Sequence, residues 1–273
     1  MKITFAMIVF NTDFVLRQVL ESIIPFAHKV IVVEGPVKYW QDKGFKTSTD
    51  DTNKILHEML PKENIIHGQW KEKTEMCNAF MRYVDEDTNY LWCVDSDEIF
   101  KPETIKEVFT VLRQAKPSSL GFASQTFYGG FDYIMGGMEA RHSFKRVLKY
   151  APGAEYLNHR PPTLSSEVGQ PINKFPGLYH YSYVSPRQVR QKIEYYEAAV
   201  IKEGDCKRNY FKKVFLRWQK NRIQTEEDSH GVHEFKSADC FTSRFEGEHP
   251  KVIQDSMEEL KRKFKQQLDD SQL

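Results

Sequence analysis

The chain is poor in the features that mark a secreted scaffold, a membrane protein or a polyelectrolyte binder. It carries four cysteines in 273 residues, Cys77, Cys93, Cys206 and Cys240, widely spaced and without a Cys-x-x-Cys pair. Reduced, structural thiols are therefore expected. No apolar stretch approaches the ~18 residues of a membrane span, and the N-terminus enters a strand-like run without a signal-peptide pattern. The expected location is cytoplasmic, with no transmembrane segment. An excess of charge of either sign is also missing, since 39 basic and 38 acidic residues leave a net charge of +1. Such a chain has no global field to attract nucleic acid, which is not an expected partner. Neither an internal repeat nor a low-complexity segment is present.

What is present alternates between two periods. Ile3 to Phe10 is an almost unbroken apolar run with β-branched residues, which suits a strand covered on both faces. Leu16, Leu20 and Ile23 then recur at helical spacing, followed by a second strand at Val30 to Val33. A long polar loop runs from Gly35 to Asp51, holding Trp40, Gly44 and Phe45. A helix over Thr52 to Leu60, a short strand at Asn64 to His67, a helix with Cys77, Phe80, Met81 and Val84 on one face, and a strand at Tyr90 to Val94 continue the alternation. Pro102 opens another helix with Ile105, Val108, Phe109 and Leu112 along one stripe. The pattern predicts a doubly wound, mostly parallel α/β sheet.

Beyond Leu120 the pattern changes. Aromatic and glycine residues crowd Gly121 to Ile134, and Phe144 to Tyr156 reads as a further strand pair, so the sheet is expected to become mixed. Pro161, Pro162, Pro171 and Pro176 mark an irregular region. Ser185-Pro186 starts a helix that ends near Gly204, the basic segment Lys207 to Arg222 suits another, and Val252 to Leu268 forms a final amphipathic one. Two domains are expected: 1–184, which holds the alternating α/β pattern, and a mainly helical 185–273. No oligomeric state follows from the sequence.

Chemistry concentrates at Asp95-Ser96-Asp97-Glu98, where a buried strand gives way to a loop. On a continuing strand, residues two apart point the same way, so Asp95 and Asp97 would converge on one hard divalent cation that carries a diphosphate. Open α/β sheets bind their ligands at this carboxyl edge. His180, within Leu178-Tyr-His-Tyr-Ser-Tyr183, is the candidate third ligand for a manganese-like ion. Glu34 ends the second strand, where a carboxylate can accept from a ribose or base edge; Phe10 and Asn11 end the first and can meet the same nucleoside through backbone groups. Lys71 and Lys73 are candidate phosphate contacts.

Strand one (Ile3 to Asn11), Val30-Ile-Val-Val-Glu34, Leu91-Trp-Cys-Val-Asp-Ser-Asp-Glu98 and Tyr179-His-Tyr-Ser-Tyr183 together resemble the family 2 glycosyltransferases of the GT-A, nucleotide-diphospho-sugar transferase, fold. Within that family the Asp-x-Asp-Glu form looks like that of bacterial enzymes acting on lipopolysaccharide cores and related surface polymers. The resemblance implies a nucleotide-sugar donor, with UDP-sugars favoured, and a hydroxyl acceptor on a glycan or other molecule. It also implies Mn2+ or Mg2+ held directly by Asp97, with Asp95 on the ribose or the metal, Ser96 between them in the donor site, and His180 as a further ligand. The metal would act as a Lewis acid on the departing nucleoside diphosphate.

An inverting member also needs a base for the acceptor hydroxyl. Several related enzymes carry a His-Glu pair for this region, whereas this chain has His159-Arg160-Pro161-Pro162. Glu139, in Gly136-Gly-Met-Glu-Ala-Arg141, and Glu167, in Ser165-Ser-Glu-Val168, are the acidic candidates. Glu139 is slightly favoured, because its glycines would let backbone and acceptor approach closely. His159 is the alternative, with an ordinary pKa suited to neutral pH. Two other functions fit less well. A nucleotidyltransferase would need a glycine-rich basic loop where Asn11-Thr-Asp-Phe-Val15 stands. A noncatalytic carbohydrate-binding protein would stack sugars on Phe127, Tyr128, Phe131 and Tyr133.

Overall fold

The computed structural model describes residues 1–200, 206–221 and 231–271. Its first half runs β1 (Ile3–Val9), α1 (Leu16–Ile23), β2 (Lys29–Glu34), α2 (Lys38–Gln41), α3 (Thr52–Met59), β3 (Ile65–His67), α4 (Lys73–Met81), β4 (Tyr90–Cys93), β5 (Glu98–Phe100) and α5 (Pro102–Ala115). Next come β6 (Ser119–Tyr128), β7 (Tyr133–Met135), α6 (Met138–Arg141), β8 (Ser143–Lys149), β9 (Tyr156–His159), β10 (Pro162–Leu164) and β11 (Ile172–Tyr183). The rest is α7 (Pro186–Tyr195), π-helical turns at Tyr196–Val200 and Phe211–Leu216, α8 (Arg217–Asn221), β12 (Thr242–Arg244) and α9 (Lys251–Asp270). These elements form two compact units, Met1–Ala123 with Ser143–Leu178, and Ser124–His142 with Tyr179–Leu273. β6 and β11 each start in the first unit and end in the second.

In the first unit β1 lies between β2 and β4, parallel to both, and β3 extends the parallel part beyond β2. β1 is buried along nearly its whole length, as an apolar run with β-branched residues requires when helices cover both faces. Leu16, Val19, Leu20 and Ile23 form the buried stripe of α1. The sheet then turns mixed, as expected: β8 pairs antiparallel with β4, and the start of β6 pairs antiparallel with β8. Trp92 of β4 is fully buried, stacked on Phe5 at 5.0 Å and Phe122 at 5.5 Å, with Phe100 edge-on at 5.0 Å.

The second unit is built around aromatic side chains. β7 pairs with β12 and, at Ile134, with Phe127 of β6. Tyr128, Tyr183, Tyr210, Phe215 and Trp218 share one core, in which the Tyr128 and Tyr210 hydroxyls lie 3.1 Å apart. Phe127, Tyr128, Phe131 and Tyr133, the candidate sugar-stacking surface, are 0%, 0%, 2% and 7% exposed and belong to the interior. Their faces are covered by Tyr181, Trp218 and His249, residues that reach them only through the fold.

Ser185 caps α7, its hydroxyl accepting the Gln188 N–H at 3.2 Å and donating to Gln267 of α9 at 2.7 Å. Ser185→Ala should cost about 1 kcal/mol, read as a lower midpoint in urea denaturation. The helix end placed at Gly204 and the basic segment's end at Arg222 lie outside the described residues. Among the described residues no helix is long and apolar enough to cross a membrane.

Candidate functional site

The carboxyl ends of β1 and β2 are closed over by the segment after α2. Asn11 follows β1 with φ +49°, a left-handed conformation that asparagine tolerates better than most residues. Its N–H donates to Ser48 Oγ at 2.9 Å, and its Oδ1 accepts the Thr49 N–H at 2.7 Å. Glu34, 1% exposed, accepts from the Ser48 N–H at 2.7 Å and from the Thr47 hydroxyl at 3.0 Å, and its Oε2 lies 3.0 Å from His67 Nδ1. Both of its oxygens thus already have protein partners, and their geometry pins residues 47–49. Phe10 packs against Trp40 at 5.9 Å and edge-on to Phe45 at 5.6 Å. Gly35 sits at φ +139° where an added Cβ would meet the Gly68 carbonyl at 1.9 Å, so no larger residue fits.

β4 ends at Cys93 and does not continue through the acidic motif, which corrects the alternation argument for Asp95 and Asp97. A closed turn replaces the strand: the Glu98 N–H donates to the Asp95 carbonyl at 3.0 Å, and the Asp95 N–H donates to Glu98 Oε2 at 3.1 Å. Asp95 and Asp97 stay partly exposed on this turn while Glu98 is fully buried. Ser96 Oγ lies 2.6 Å from Thr12 Oγ1 and ties the turn to the chain leaving β1. Arg146 of β8 closes it from the other side. Its Nε donates to Glu98 Oε2 at 2.7 Å, and its Nη2 donates to Glu98 Oε1 at 2.5 Å and to Asp95 Oδ2 at 2.6 Å. Burial opposes the charge on Arg146, but Asp95 and Glu98 outweigh it and hold the guanidinium above its ordinary pKa.

Two partly exposed carboxylates suit Mg2+ or Mn2+, ions that keep several waters and share coordination with substrate phosphates rather than needing an all-protein cage. Lys73, the candidate phosphate contact, starts α4 in the same unit. His180 belongs to the second unit, where it is 7% exposed and its Nδ1 lies 3.5 Å from Thr126 Oγ1. Among the described residues, His28, Asp85 and Asp87 also bring three potential ligand atoms within 4.8 Å. Asp85 there is engaged by Lys29 at 2.8 Å and His28 at 3.1 Å, as an ordinary surface ion pair.

The three candidate bases have different surroundings. His159 lies with Nδ1 3.6 Å from Cys77 Sγ, and burial together with the nearby Lys73 charge pushes its pKa down to about 3. The expectation of a pKa suited to neutral pH is corrected by that burial. Because the unfolded chain takes up this proton near pH 6.5 and the folded one only near 3, stability falls as the pH drops through that window. His159→Asn should remove up to about 1.4 kcal/mol of stability loss per pH unit there, seen as a flatter acid limb in denaturation midpoints. Glu167 is paired with Lys145, whose Nζ donates to both oxygens at 2.9 Å.

Glu139, in the second unit, is 7% exposed and accepts the Thr126 hydroxyl at 2.9 Å. The glycines before it serve packing and not acceptor approach: a Cβ on Gly136 would strike the Phe241 ring, and one on Gly137 the Asp239 carbonyl at 2.3 Å. His233 accepts the Phe235 N–H on Nδ1 at 3.1 Å, which puts its proton on Nε2, 3.9 Å from Glu139 Oε2. The 3.2 Å approach of Glu234 Oε2 to the same Nδ1 is therefore not a hydrogen bond. Burial raises the Glu234 pKa, yet Lys192, His233 and the Tyr183 hydroxyl outweigh it and keep the carboxyl low. Lys192 itself donates to Ser182 Oγ at 2.7 Å and stands 4.0 Å over the Tyr183 ring.

Arg146, Thr126, His233, Glu234 and Lys192 were not singled out from sequence. Arg146 sits at a register slip, with Leu120 opposite Val147 and Gly121 opposite Lys145, so β8 has an extra residue there and strand alternation does not give its direction. The others depend on contacts between segments distant in sequence.

Residues 46–161 match the sequence model of glycosyl transferase family 2. Among curated proteins nothing matches. Solved structures with a related trace include S. aureus TarS, at 14% identity over 84% of this chain and 45% of that one, with a TM-score of 0.42. Its 1–349 fragment in complex with UDP-GlcNAc gives 15% identity, 84% and 75% coverage and a TM-score of 0.42. Glucosyl-3-phosphoglycerate synthase from Mycobacterium tuberculosis, with Mg2+ and UDP, gives 16% identity, 46% and 43% coverage and a TM-score of 0.33. This chain thus spans less than half of that TarS chain.

Proposed function

We propose that this chain, whose residues 46–161 match the sequence model of glycosyl transferase family 2, moves a sugar from a nucleotide-sugar, a UDP-sugar in the first instance, to a hydroxyl of a glycan or other acceptor with the help of Mn2+ or Mg2+. The observation that carries this reading is the acidic turn at the end of β4, two partly exposed aspartates on a backbone fixed by Glu98 and joined through Ser96 to the end of β1. Such a turn offers hard oxygen donors to a cation, and the cation would offset charge on the leaving diphosphate. Asn11 and Phe10 stand at the neighbouring strand end, suited to a nucleoside. Glu34 acts through the loop it pins.

Transfer with inversion requires a base, and Glu139 is the candidate whose surroundings fit best. His159 is too weak a base at a pKa of about 3, and Glu167 is held by Lys145. Glu139 instead accepts the Thr126 hydroxyl and lies 3.9 Å from His233 Nε2.

Thermal melting against UDP-, GDP- and dTDP-sugars, with and without Mn2+, tests the reading. A donor at a hundredfold its Kd stabilises by about 2.7 kcal/mol, and that gain should appear only with the metal. No stabilisation by any donor with Mn2+, and no hydrolysis or transfer, would overturn it. Pyrophosphate release from a nucleoside triphosphate and a sugar phosphate would mark a nucleotidyltransferase instead.

A further inference from the structure

We propose that His233 binds the acceptor, its Nε2–H gripping the incoming hydroxyl oxygen while Glu139 takes the proton from that same oxygen. The inference rests on the reading of Glu139 as the base and adds a second contact to it. Glu139 and His233 are 7% and 5% exposed, and both belong to the second unit.

Each partner is held from behind and presents one atom to a shared gap. Thr126 Oγ1 donates to Glu139 Oε1 at 2.9 Å and lies 2.6 Å from Ser124 Oγ, which fixes the carboxylate and leaves Oε2 turned to His233. On the other side the Phe235 N–H donates to His233 Nδ1 at 3.1 Å, and the Phe235 ring packs on the imidazole at 4.9 Å. Nε2 therefore carries the proton and cannot itself be the base. It stands 3.9 Å from Oε2, too far for a direct hydrogen bond. Among the described residues, the side-chain atoms that are both enclosed and unpaired are Asn53 Oδ1, Trp92 Nε1, Ser166 Oγ and Gln219 Oε1. Glu139 Oε2 and His233 Nε2 are not of that kind, so the gap between them is reached from solvent. An oxygen about 2.8 Å from both atoms fits a separation of this size.

A hydroxyl suits the gap because it donates one hydrogen and accepts through two lone pairs. Its hydrogen goes to Glu139 Oε2 and one lone pair to the His233 N–H, which leaves the second lone pair for the anomeric carbon. As that pair forms the new carbon–oxygen bond, the bond from the anomeric carbon to the diphosphate breaks, and its electrons leave with the nucleoside diphosphate. The hydroxyl proton passes to Glu139 Oε2, while the His233 N–H keeps the oxygen oriented and offsets charge on it.

The test sets His233→Asn against His233→Gln. Asparagine keeps an acceptor near the Nδ1 position for the Phe235 N–H but has nothing at Nε2, whereas glutamine brings an N–H to the Nε2 position and gives up the Nδ1 acceptor. Hydrolysis of UDP-, GDP- and dTDP-sugars is followed in Mn2+, with water standing for the acceptor hydroxyl and a melting curve beside each variant. His233→Asn should lower kcat on the order of thirtyfold, with the donor KM within about twofold of wild type. His233→Gln should recover most of that loss even though it melts lower. A crystal structure of the wild-type chain should show one oxygen, of water or acceptor, within hydrogen-bond reach of both Glu139 Oε2 and His233 Nε2. Wild-type kcat in a folded His233→Asn, or equal losses in the two variants, would make His233 purely structural and overturn the inference. A crystal structure without that oxygen overturns it equally, and decides alone if His233→Asn melts below the assay temperature. A wild-type chain that neither hydrolyses nor transfers from any donor overturns the donor-site reading and this inference with it, whereas an active wild type with unaffected variants overturns this inference alone.

Discussion

Asp97→Ala is expected to lower kcat/KM for sugar transfer on the order of a thousandfold, equivalent to about 4 kcal/mol of lost transition-state stabilisation. The acidic turn offers the cation two carboxylates, and one of them, Asp95, is already engaged by Arg146. Removing Asp97 leaves the ion with an acid whose charge is offset from behind, so added Mn2+ should restore little of the rate. The fold should survive, since Asp97 is partly exposed and the turn is closed by Asp95 and Glu98. Initial rates over a Mn2+ series, with a melting curve beside them, give the answer. A variant that regains wild-type rate at high Mn2+ would show that Asp97 contributes affinity alone, and one that keeps its rate throughout would remove the metal from this turn.

Arg146→Ala is expected to cost about 3–5 kcal/mol of stability, because it leaves Glu98 charged, fully buried and without its partner. Urea denaturation should show the midpoint falling with little change in slope. Glu98→Gln/Arg146→Met should lose far less, since replacing both members of a buried pair is often neutral. A single variant as stable as wild type would mean that water reaches Glu98 and that the pair is not the keystone of the turn. The comparison separates the energetic role of the pair from its role in holding Asp95.

Much of the fold was legible in the residues, for a local reason. The parallel strands and their helices carry their own periodicity, so Ile3–Val9, Lys29–Glu34, Tyr90–Cys93 and Pro102–Ala115 fall where apolar runs and stripes place them. The acidic motif was legible as composition and misread as conformation. Nothing in Asp95-Ser96-Asp97-Glu98 reveals that Glu98 turns back to bind the Asp95 N–H, because that bond depends on a guanidinium 48 residues further on. Glu34 was likewise found at the right strand end, but its partners Thr47 and Ser48 sit in a loop without periodicity. His159 carries no local sign of its burial beside Lys73, which lowers its pKa from the ordinary imidazole value. The run through Thr126, Glu139, His233 and Glu234 joins segments about a hundred residues apart, beyond the reach of local pattern.

The interleaving of the two units bears on how the chain can be made and cut. During synthesis the 124–142 segment emerges early, yet its partners Tyr210, Trp218 and Thr242 come from the last third of the polypeptide. The ribosome therefore releases Tyr128 and Tyr133 tens of residues before anything exists to cover them, at synthesis rates of about 5–20 residues per second. A fragment stopped after Leu178 would expose the same aromatic strand permanently. Shortened versions ending there should be recovered as aggregates, whereas the complete chain can bury those rings as soon as its final segments arrive.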